Sequence, residues 1–249
     1  TIFEDCNDFV AHEFSGPHPS GNTGVHVHHI DPISGRNDIV WYLSLQDLND
    51  IGNFFNNGTY PTEKYISAGG SCLFEPAFYK IKKGMMISDI LNNQMLNDES
   101  MIISGDVLSG DSTTESMPVN FYHEVLSVIP HFKRRDFLGW ILPGLKKYSL
   151  SRTFLSSLLS KPATHFDTRI NGSRRAIIPF GRWEAMLPMD IMPDIIVKSI
   201  IAKDIEDMEK YGIYECDHED FSLCAYACQS KVEVSKIVSE GLELMEREG

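Results

Sequence analysis

Basic residues are scarce in this sequence, which limits the ligands that its surface can attract. Lys and Arg number 22 against 35 Asp and Glu, so the formal net charge at pH 7 is −13. A surface of that overall sign repels nucleic acid phosphates and anionic lipids. We therefore do not expect general nucleic acid binding.

Long hydrophobic runs are missing as well. The apolar stretch from Ile195 to Ile201 is interrupted by Lys198, whereas a membrane span needs about 18 consecutive apolar residues. The chain opens with acidic residues, among them Glu4 and Asp5, and so resembles neither a signal peptide nor a transit sequence. We expect no transmembrane segment, so any membrane association would be peripheral.

The cysteines number five, an odd count in a chain of 249 residues. A chain of this length buries a core without covalent staples, so we expect reduced thiols rather than a disulfide framework. Cys216, Cys224 and Cys228 fall in the tail, one fewer than the four protein ligands of an iron–sulfur cluster. Cys224 and Cys228 share a helical face with Phe221, which predicts small buried apolar residues.

Signatures of nucleotide-dependent and hydrolytic chemistry are also absent. The Gly-rich stretch 16–24 contains Pro17 and Pro19, which remove two backbone donors, and no Lys-Ser/Thr pair follows it. No Ser-His-Asp arrangement, kinase signature or Walker loop is present. A hydrolase or a transferase therefore has no positive support in the sequence.

Charge of opposite sign is separated along the chain. Residues 1–132 carry 5 basic and 17 acidic side chains, residues 183–249 carry 6 and 16, and residues 133–182 carry 11 and 2. The simplest interpretation is that the basic middle segment pairs with its acidic flanks. The alternative is a basic docking face for an acidic partner, a lipid headgroup layer or an anionic ligand.

Hydrophobic spacing in the first half of the chain predicts a mixed α/β fold. Alternation at residues 25–30 predicts a strand, and Ser44 with Asp47 predicts the capped start of a helix that ends at Gly58. Residues 64–111 have the pattern of a strand, a turn, a short helix and a strand.

Further along the chain two more strands and a helix are predicted, and the last third is predicted to be helical. Strands are predicted at 121–129 and 137–142, followed by a helix at 149–160 that ends before Pro162. An apolar stripe predicts one helix from Pro193 to Gly212. The short helix of the first half is predicted to begin at Ser88. Two helices of the tail are predicted to begin at Asp217 and at the capping box formed by Ser230 and Glu233.

Three histidines follow the Gly-rich stretch. On a strand, His26 and His28 would lie on one face, where both could reach a metal ion with Asp31 as a third ligand. A stand-alone metal-dependent enzyme is the function that this His-x-His-His-x-Asp cluster suggests. The simpler interpretation is that the imidazoles hydrogen-bond the preceding loop and hold it in position, because no complementary ligand cluster is evident elsewhere.

Several different short motifs follow one another along the chain in a characteristic order. They include Gly16-Pro17-His18-Pro19-Ser20-Gly21, His26-Val27-His28, Ile103-Ser104-Gly105, Phe137-Leu138-Gly139-Trp140 and Pro188-Met189-Asp190-Ile191. In this order the chain resembles the family of A subunits of the sodium-translocating NADH:quinone reductase, a respiratory sodium pump. Members of that family are related to the C subunit of the Rnf complex and to the flavoprotein subunit of complex I. The resemblance covers essentially all 249 residues.

The resemblance implies an α/β fold in four parts. Residues 1–60 would be the C-terminal part of a Rossmann-like α/β domain, and residues 65–115 a β-grasp domain of the soluble-ligand-binding type. Residues 116–190 would be a basic mixed α/β segment, and residues 191–249 a C-terminal helical region. The resemblance also implies a further N-terminal portion.

The function implied by the resemblance is that of a cofactor-free, quinone-side subunit. It would sit peripherally on the cytoplasmic side of the bacterial inner membrane, bound to membrane-embedded partner subunits. The complex would pass electrons from NADH to quinone and export Na⁺, with NAD, FAD, FMN and iron–sulfur clusters held by other subunits. The chain alone would not be catalytic.

The resemblance leads to two sets of candidate residues, and it implies no catalytic residue. An apolar quinone slot needs hydrogen-bond donors, for which the candidates are His26, Trp140 and Arg152. The candidates for docking on the partner subunits are Arg134, Arg135, Lys146 and Lys147. The only candidates for a metal site are those of the alternative function, His26, His28 and Asp31.

Overall fold

The computed structural model describes residues 9–92, 94–96, 99–132, 137–139, 141–145, 147–158, 166–170 and 172–249. The helices in these residues are α1 (Thr23–Ile30), α2 (Leu45–Asn57), α3 (Ile87–Leu91), α4 (Pro193–Ala202), α5 (Ile205–Lys210), α6 (Ser222–Ala227) and α7 (Val234–Glu248). The strands are β1 (Glu63–Gly69), β2 (Ala77–Lys82), β3 (Ser100–Ser104), β4 (Asp111–Thr113) and β5 (Val125–Pro130). None of the helices in the described part of the chain combines the length and apolar character that crossing a bilayer requires.

The chain divides into two compact units, each with its own hydrophobic core. The first unit comprises the chain up to Tyr42 together with Ser173–Gly249, and it contains α1 and α4 to α7. The second unit is Leu43–Gly172, with α2, α3 and the five strands. The second unit is therefore inserted in sequence between the two parts of the first.

The second unit is organised around one sheet with the strand order β2-β1-β5-β3-β4. The β1–β5 pair is parallel, and the other three pairs are antiparallel. Along β1, Lys64, Ile66 and Ala68 are buried and alternate with more exposed residues, as expected for a strand with one covered face. The core joins this face to α3 through Ile87 and Ile90.

This sheet confirms two of the predicted patterns. Residues 64–111 contain a strand, a turn, a short helix and further strands, and β5 overlaps the strand predicted at 121–129. A mixed α/β unit is therefore present. Its specific assignment as a β-grasp domain stays a prediction.

Lys64 is the charged member of the covered face of β1. Its Nζ donates hydrogen bonds to the backbone oxygens of Asn120 (3.2 Å), Phe121 (2.9 Å) and His123 (2.7 Å). Burial lowers the pKa of Lys64, although the nearby carboxylate of Glu124 acts in the opposite direction. The ammonium group thus fastens the segment before β5 to β1.

Helix α2 begins and ends as predicted. The hydroxyl of Ser44 accepts the backbone N–H of Asp47 at 3.1 Å, and Gly58 ends the helix with a φ of 66°. The side-chain amide of Gln46 pairs with the backbone of Tyr65 in both directions, at 2.9 and 2.7 Å. Because no residue of α2 is buried, these polar contacts attach the helix to β1.

The first unit is built from helices around the fully buried Phe221. Pro193 occupies the first turn of α4 as predicted, where its missing N–H costs no hydrogen bond. Helices α4 and α7 approach closely, since a Cβ on Gly241 would lie 2.7 Å from Cδ1 of Ile200. The predicted C-terminal helices are confirmed.

The strand predicted at residues 25–30 is wrong, because these residues lie within α1. A run of six residues fits both the period of a strand and that of a helix, so local spacing alone does not decide between the two structures. Val25 is buried in the core of the first unit, and His28 and His29 bond to distant segments of that unit. These tertiary contacts override the local preference for a strand.

The strand predicted at 137–142 and the helix predicted at 149–160 are also wrong over the described residues. Turns occupy the described part of the first range, and the second contains only the 3₁₀ helix Leu155–Leu158. Leu138 and Arg152 have φ values of 50° and 53°. These left-handed conformations interrupt a strand or an α-helix.

The single helix predicted from Pro193 to Gly212 is divided into α4 and α5. Lys203 ends α4 in a left-handed conformation with a φ of 57°. The carboxylate of Asp204 then accepts the backbone N–H of Asp207 at 3.1 Å and caps α5. A local cap therefore starts a new helix inside a continuous apolar stripe.

Two short helices begin elsewhere than predicted. Ser88 lies inside α3, whose N-cap is Met86, and α6 begins at Ser222 rather than at Asp217. No side chain caps either helix. Burial of apolar side chains in the two cores, rather than a polar cap, decides where these helices start.

The capping box predicted for α7 does not form. Ser230 donates its hydroxyl to the backbone oxygen of Ala176 at 2.8 Å, and Glu233 pairs with Arg174 at 2.9 Å. Both side chains thus bind the segment that enters the first unit instead of the first turn of α7. Contacts that are distant in sequence replace the local ones here.

Candidate functional site

The imidazole of His26 holds the loop that precedes α1. Its Nε2 lies 3.0 Å from the backbone oxygen of Ser20, to which it donates, and its ring stacks on Phe14 with centroids 4.3 Å apart. The prediction that a histidine positions this loop is confirmed for His26.

His28 uses both of its ring nitrogens in the first unit. Nδ1 donates to the carboxylate of Glu215 at 2.5 Å, and Nε2 accepts the backbone N–H of Asp190 at 3.0 Å. The ring of the next histidine, His29, donates to the backbone oxygen of Pro188 at 2.8 Å. Together these imidazoles fasten α1 to two segments more than 150 residues away in sequence.

These contacts leave no metal site of the predicted kind. Among the described residues, no group of three or more His, Cys, Asp and Glu side chains is arranged to hold a metal ion. His26, His28 and Asp31 are described residues, so the structure does not bring them together as ligands. The stand-alone metal-dependent enzyme therefore has no support.

Asp220 lies buried against the start of α1. Asn22, at the N-cap, donates its side-chain N–H to Oδ1 of Asp220 at 2.9 Å. A Cβ on Gly24 would lie only 1.9 Å from Oδ2 of Asp220, so a glycine is required there. Burial raises the pKa of Asp220 to about 6, although the bond from Asn22 opposes this.

The tail cysteines are core residues. Cys216, Cys224 and Cys228 are buried free thiols in the core of the first unit. Burial raises the pKa of Cys224 to about 12 and that of Cys216 further still. The prediction of small buried apolar residues is confirmed for Cys224 and Cys228. The raised pKa values make Cys216 and Cys224 poor metal ligands, since the thiolate is the form that binds metals.

The first unit contains a surface groove that the sequence did not predict. Its described lining is Phe180, Gly181, Arg182, Ala185, Met186 and Gln229. A narrower cleft continues from it to Asp194, whose pKa is raised by burial and by Glu184. The residues come from segments about 50 positions apart, which is why no spacing in the sequence predicted the groove.

The three candidate quinone-side residues stay a prediction. His26 belongs to the first unit and Arg152 to the second. Arg152 is exposed, and Trp140 lies outside the described residues.

Of the four docking candidates, Arg134, Arg135 and Lys146 lie outside the described residues. The fourth, Lys147, donates from Nζ to the backbone oxygen of Gly139 at 3.0 Å. Other cations of the basic segment pair within the fold, for example Arg174 with Glu233 of the acidic tail. Internal pairing therefore accounts for some of these charges.

Comparison with known proteins gives a consistent family match. Residues 1–60 match the model described as the NqrA second alpha/beta domain. Residues 65–115 match the model described as the NQRA C-terminal domain.

Curated relatives extend the similarity to almost the whole chain. The A subunit of the Na(+)-translocating NADH-quinone reductase of Neisseria meningitidis serogroup B is 35% identical over 247 residues, which are 99% of this chain and 55% of the relative. The protein of the same name from Histophilus somni strain 2336 is 36% identical over 98% of this chain and 55% of the relative. The protein of the same name from Pasteurella multocida is 36% identical over 95% of this chain and 53% of the relative. The chain thus spans about half the length of these relatives.

Proposed function

The chain is homologous to the A subunit of the Na(+)-translocating NADH-quinone reductase, and on this premise we propose that it serves in a respiratory sodium pump. The pump passes electrons from NADH to quinone and exports Na⁺. In this proposal the chain is a cofactor-free, peripheral subunit on the cytoplasmic side of the bacterial inner membrane. The observation that carries the proposal is the similarity over 99% of the chain.

The engagement of potential ligand side chains supports the cofactor-free assignment. Both ring nitrogens of His28 are hydrogen-bonded, one to the carboxylate of Glu215 and the other to the backbone N–H of Asp190. Burial holds the thiols of Cys216 and Cys224 in the protonated form. A metal or cluster would have to displace these contacts or deprotonate a core thiol. In this proposal NAD, FAD, FMN and iron–sulfur clusters are held by other subunits.

The basic segment, residues 133–182, supports a docking role. Its 11 cations stand against 2 carboxylates, whereas the rest of the chain is acidic, so it complements an acidic surface on a membrane-embedded partner. We assign the docking contacts to Arg134, Arg135, Lys146 and Lys147. The acidic remainder of the chain then faces the cytosol.

Co-purification tests this function. An affinity tag on the chain, expressed in cells that contain the other subunits, should retain those subunits together with NADH:quinone reductase activity. Retention of the chain alone from solubilised membranes contradicts the proposal.

The quinone-side placement can be tested separately at Arg152. Its exposed guanidinium is a suitable donor to a quinone carbonyl, alongside the candidates His26 and Trp140. If it donates, Arg152→Ala in the assembled complex raises the KM for quinone about tenfold, the effect of losing one charged hydrogen bond. An unchanged KM removes Arg152 from the site, and the matched control is Arg36→Ala, outside the basic segment.

A further inference from the structure

The loop formed by residues 137–158 has an inverted distribution of polar and apolar side chains. Of its described residues, which exclude 140 and 146, only Ser156 is buried. Phe137 is 89% exposed and Leu158 is 80% exposed. In a loop that faces water the large apolar residues are normally the covered ones.

Polar contacts inside the 137–158 loop maintain this arrangement. Lys147 Nζ donates to the oxygen of Gly139 at 3.0 Å, and the N–H of Leu155 donates to the oxygen of Pro143 at 3.0 Å. The hydroxyl of Ser156 donates to the oxygen of Lys147. Because the polar groups close the loop on itself, the apolar side chains are directed outwards by its structure.

The outward apolar side chains include Ile141, Leu142 and Leu145, which are 50–60% exposed. They come from turns and one short 3₁₀ helix, so they form no regular stripe of the kind by which a helix docks in a protein groove. A fluid layer of lipid accepts apolar side chains in any arrangement. The irregular pattern therefore favours lipid over a protein groove as the occupant.

Charge around the 137–158 loop agrees with an anionic lipid surface. Residues 133–161 contain 7 Lys and Arg and one Asp or Glu, against 15 and 34 in the rest of the chain. Each cation near an anionic membrane surface contributes about 1 kcal/mol of attraction. The strong local excess overcomes the repulsion expected from the net charge of the whole chain.

We propose that the 137–158 loop binds the surface of a bilayer that contains anionic phospholipid. Its apolar side chains enter between the headgroups, and the neighbouring cations pair with lipid phosphates. This inference rests on the proposed function only in placing the protein at a membrane. It adds a direct lipid contact to the docking on partner subunits.

Vesicle flotation with the purified chain tests the proposal. The chain should bind vesicles that contain about 30% phosphatidylglycerol in phosphatidylcholine, and binding should fall with added salt. Phe137→Ser, Ile141→Ser and Leu158→Ser together should weaken this binding at least about tenfold, because three apolar side chains leave the interface. All three are exposed, so the fold is expected to persist and is verified by thermal unfolding.

The matched control changes three exposed apolar residues outside the loop, Ile39→Ser, Phe55→Ser and Phe78→Ser, which are 76–87% exposed. It should bind the vesicles like the unmodified chain. Equal loss in the control and the loop variant overturns the proposal, and so does the absence of vesicle binding. A loop variant that still binds vesicles but loses the partner subunits overturns it as well, because the loop then contacts protein. Co-purification is scored separately, so the proposed function can stand while the lipid contact fails.

Discussion

Asp220 is the residue whose surroundings most clearly set its chemistry. Its side chain is 1% exposed, Asn22 donates to Oδ1, and Oδ2 has no hydrogen-bond partner among the described residues. A buried carboxylate with one unpaired oxygen is costly, so the protonated form is favoured. This explains why the pKa of Asp220 rises to about 6.

Asp220 should make the stability of the protein depend on pH. Its pKa in the folded state is about 6, above the ordinary value of 3.8, so the folded protein binds this proton more tightly than the unfolded chain. The contribution of Asp220 is therefore fully present below about pH 4 and is lost as the pH rises through 6, at a cost on the order of 2–3 kcal/mol.

Asp220→Asn should remove that dependence, because the amide oxygen still accepts from Asn22 and carries no charge. Urea unfolding at several pH values between about 4 and 7 measures the difference between the two proteins. We expect the advantage of the variant to grow with pH. A constant difference across the range would show that Asp220 titrates normally.

Residue-scale predictions from the sequence succeeded where local spacing decides the burial of a side chain. Cys224 and Cys228 were predicted to be buried because small apolar side chains share a helical face, and the structure confirms this. The partner of Asn22 could not be predicted, because Asp220 lies 198 positions away. No local pattern in the sequence encodes such a distant contact.

At the scale of elements, sequence signals were reliable where residues at the ends of a helix fix its start and its end. The cap at Ser44 and the end at Gly58 depend on residues within α2 itself, and both were predicted correctly. Helix α1 was not, since contacts with the tail decide its conformation. The strand predicted at 137–142 failed because Leu138 adopts a positive φ that its residue type does not announce.

Helix α2 has an apolar face that the described residues leave partly exposed. Leu48, Ile51 and Phe54 are 41–46% exposed on this amphipathic helix. Residues 9–60 form two helices and no strand, although the matching family model is described as an alpha/beta domain. A Rossmann-like sheet against α2 therefore stays a prediction.

Strand β1 supplies the element-scale test of the second unit. Lys64→Met keeps the aliphatic stem but leaves the oxygens of Asn120, Phe121 and His123 without their shared donor. We expect a loss of about 2–4 kcal/mol in the free energy of unfolding, measured in urea. Lys64 is only 8% exposed, so it lies inside the fold rather than on its surface, and this burial lowers its pKa.

Lys80→Met is the matched control for this test. Lys80 lies on β2 and pairs with Glu63 at 2.6 Å, but both side chains are about half exposed. An exposed ion pair contributes little because water screens it. Equal effects at Lys64 and Lys80 would mean that the three carbonyl contacts do not stabilise the sheet.

At the scale of the whole molecule, the two units are built on different principles. The first unit joins α1 to a helical tail through polar contacts such as that of His28 with Glu215. The second unit places a sheet and a basic, outwardly apolar loop in the middle of the chain. The separation of charge along the sequence was visible from composition. How many cations pair internally was not, because pairs such as Arg174 with Glu233 depend on the fold.

The most direct test of the central claim is co-purification of the partner subunits with a tagged chain, measured for the unmodified protein and for a charge-reversed variant. Changing Arg134, Arg135 and Lys146 to Glu should abolish recovery of the partners and leave the thermal unfolding of the isolated chain unchanged. Lys147 is kept in this variant because its Nζ donates to the backbone oxygen of Gly139. The same change at Lys203, Lys210 and Lys236, which are exposed cations of the first unit, should preserve recovery. Partners that are recovered equally with all three proteins would contradict docking through the basic segment, and partners recovered with none would contradict membership of the complex.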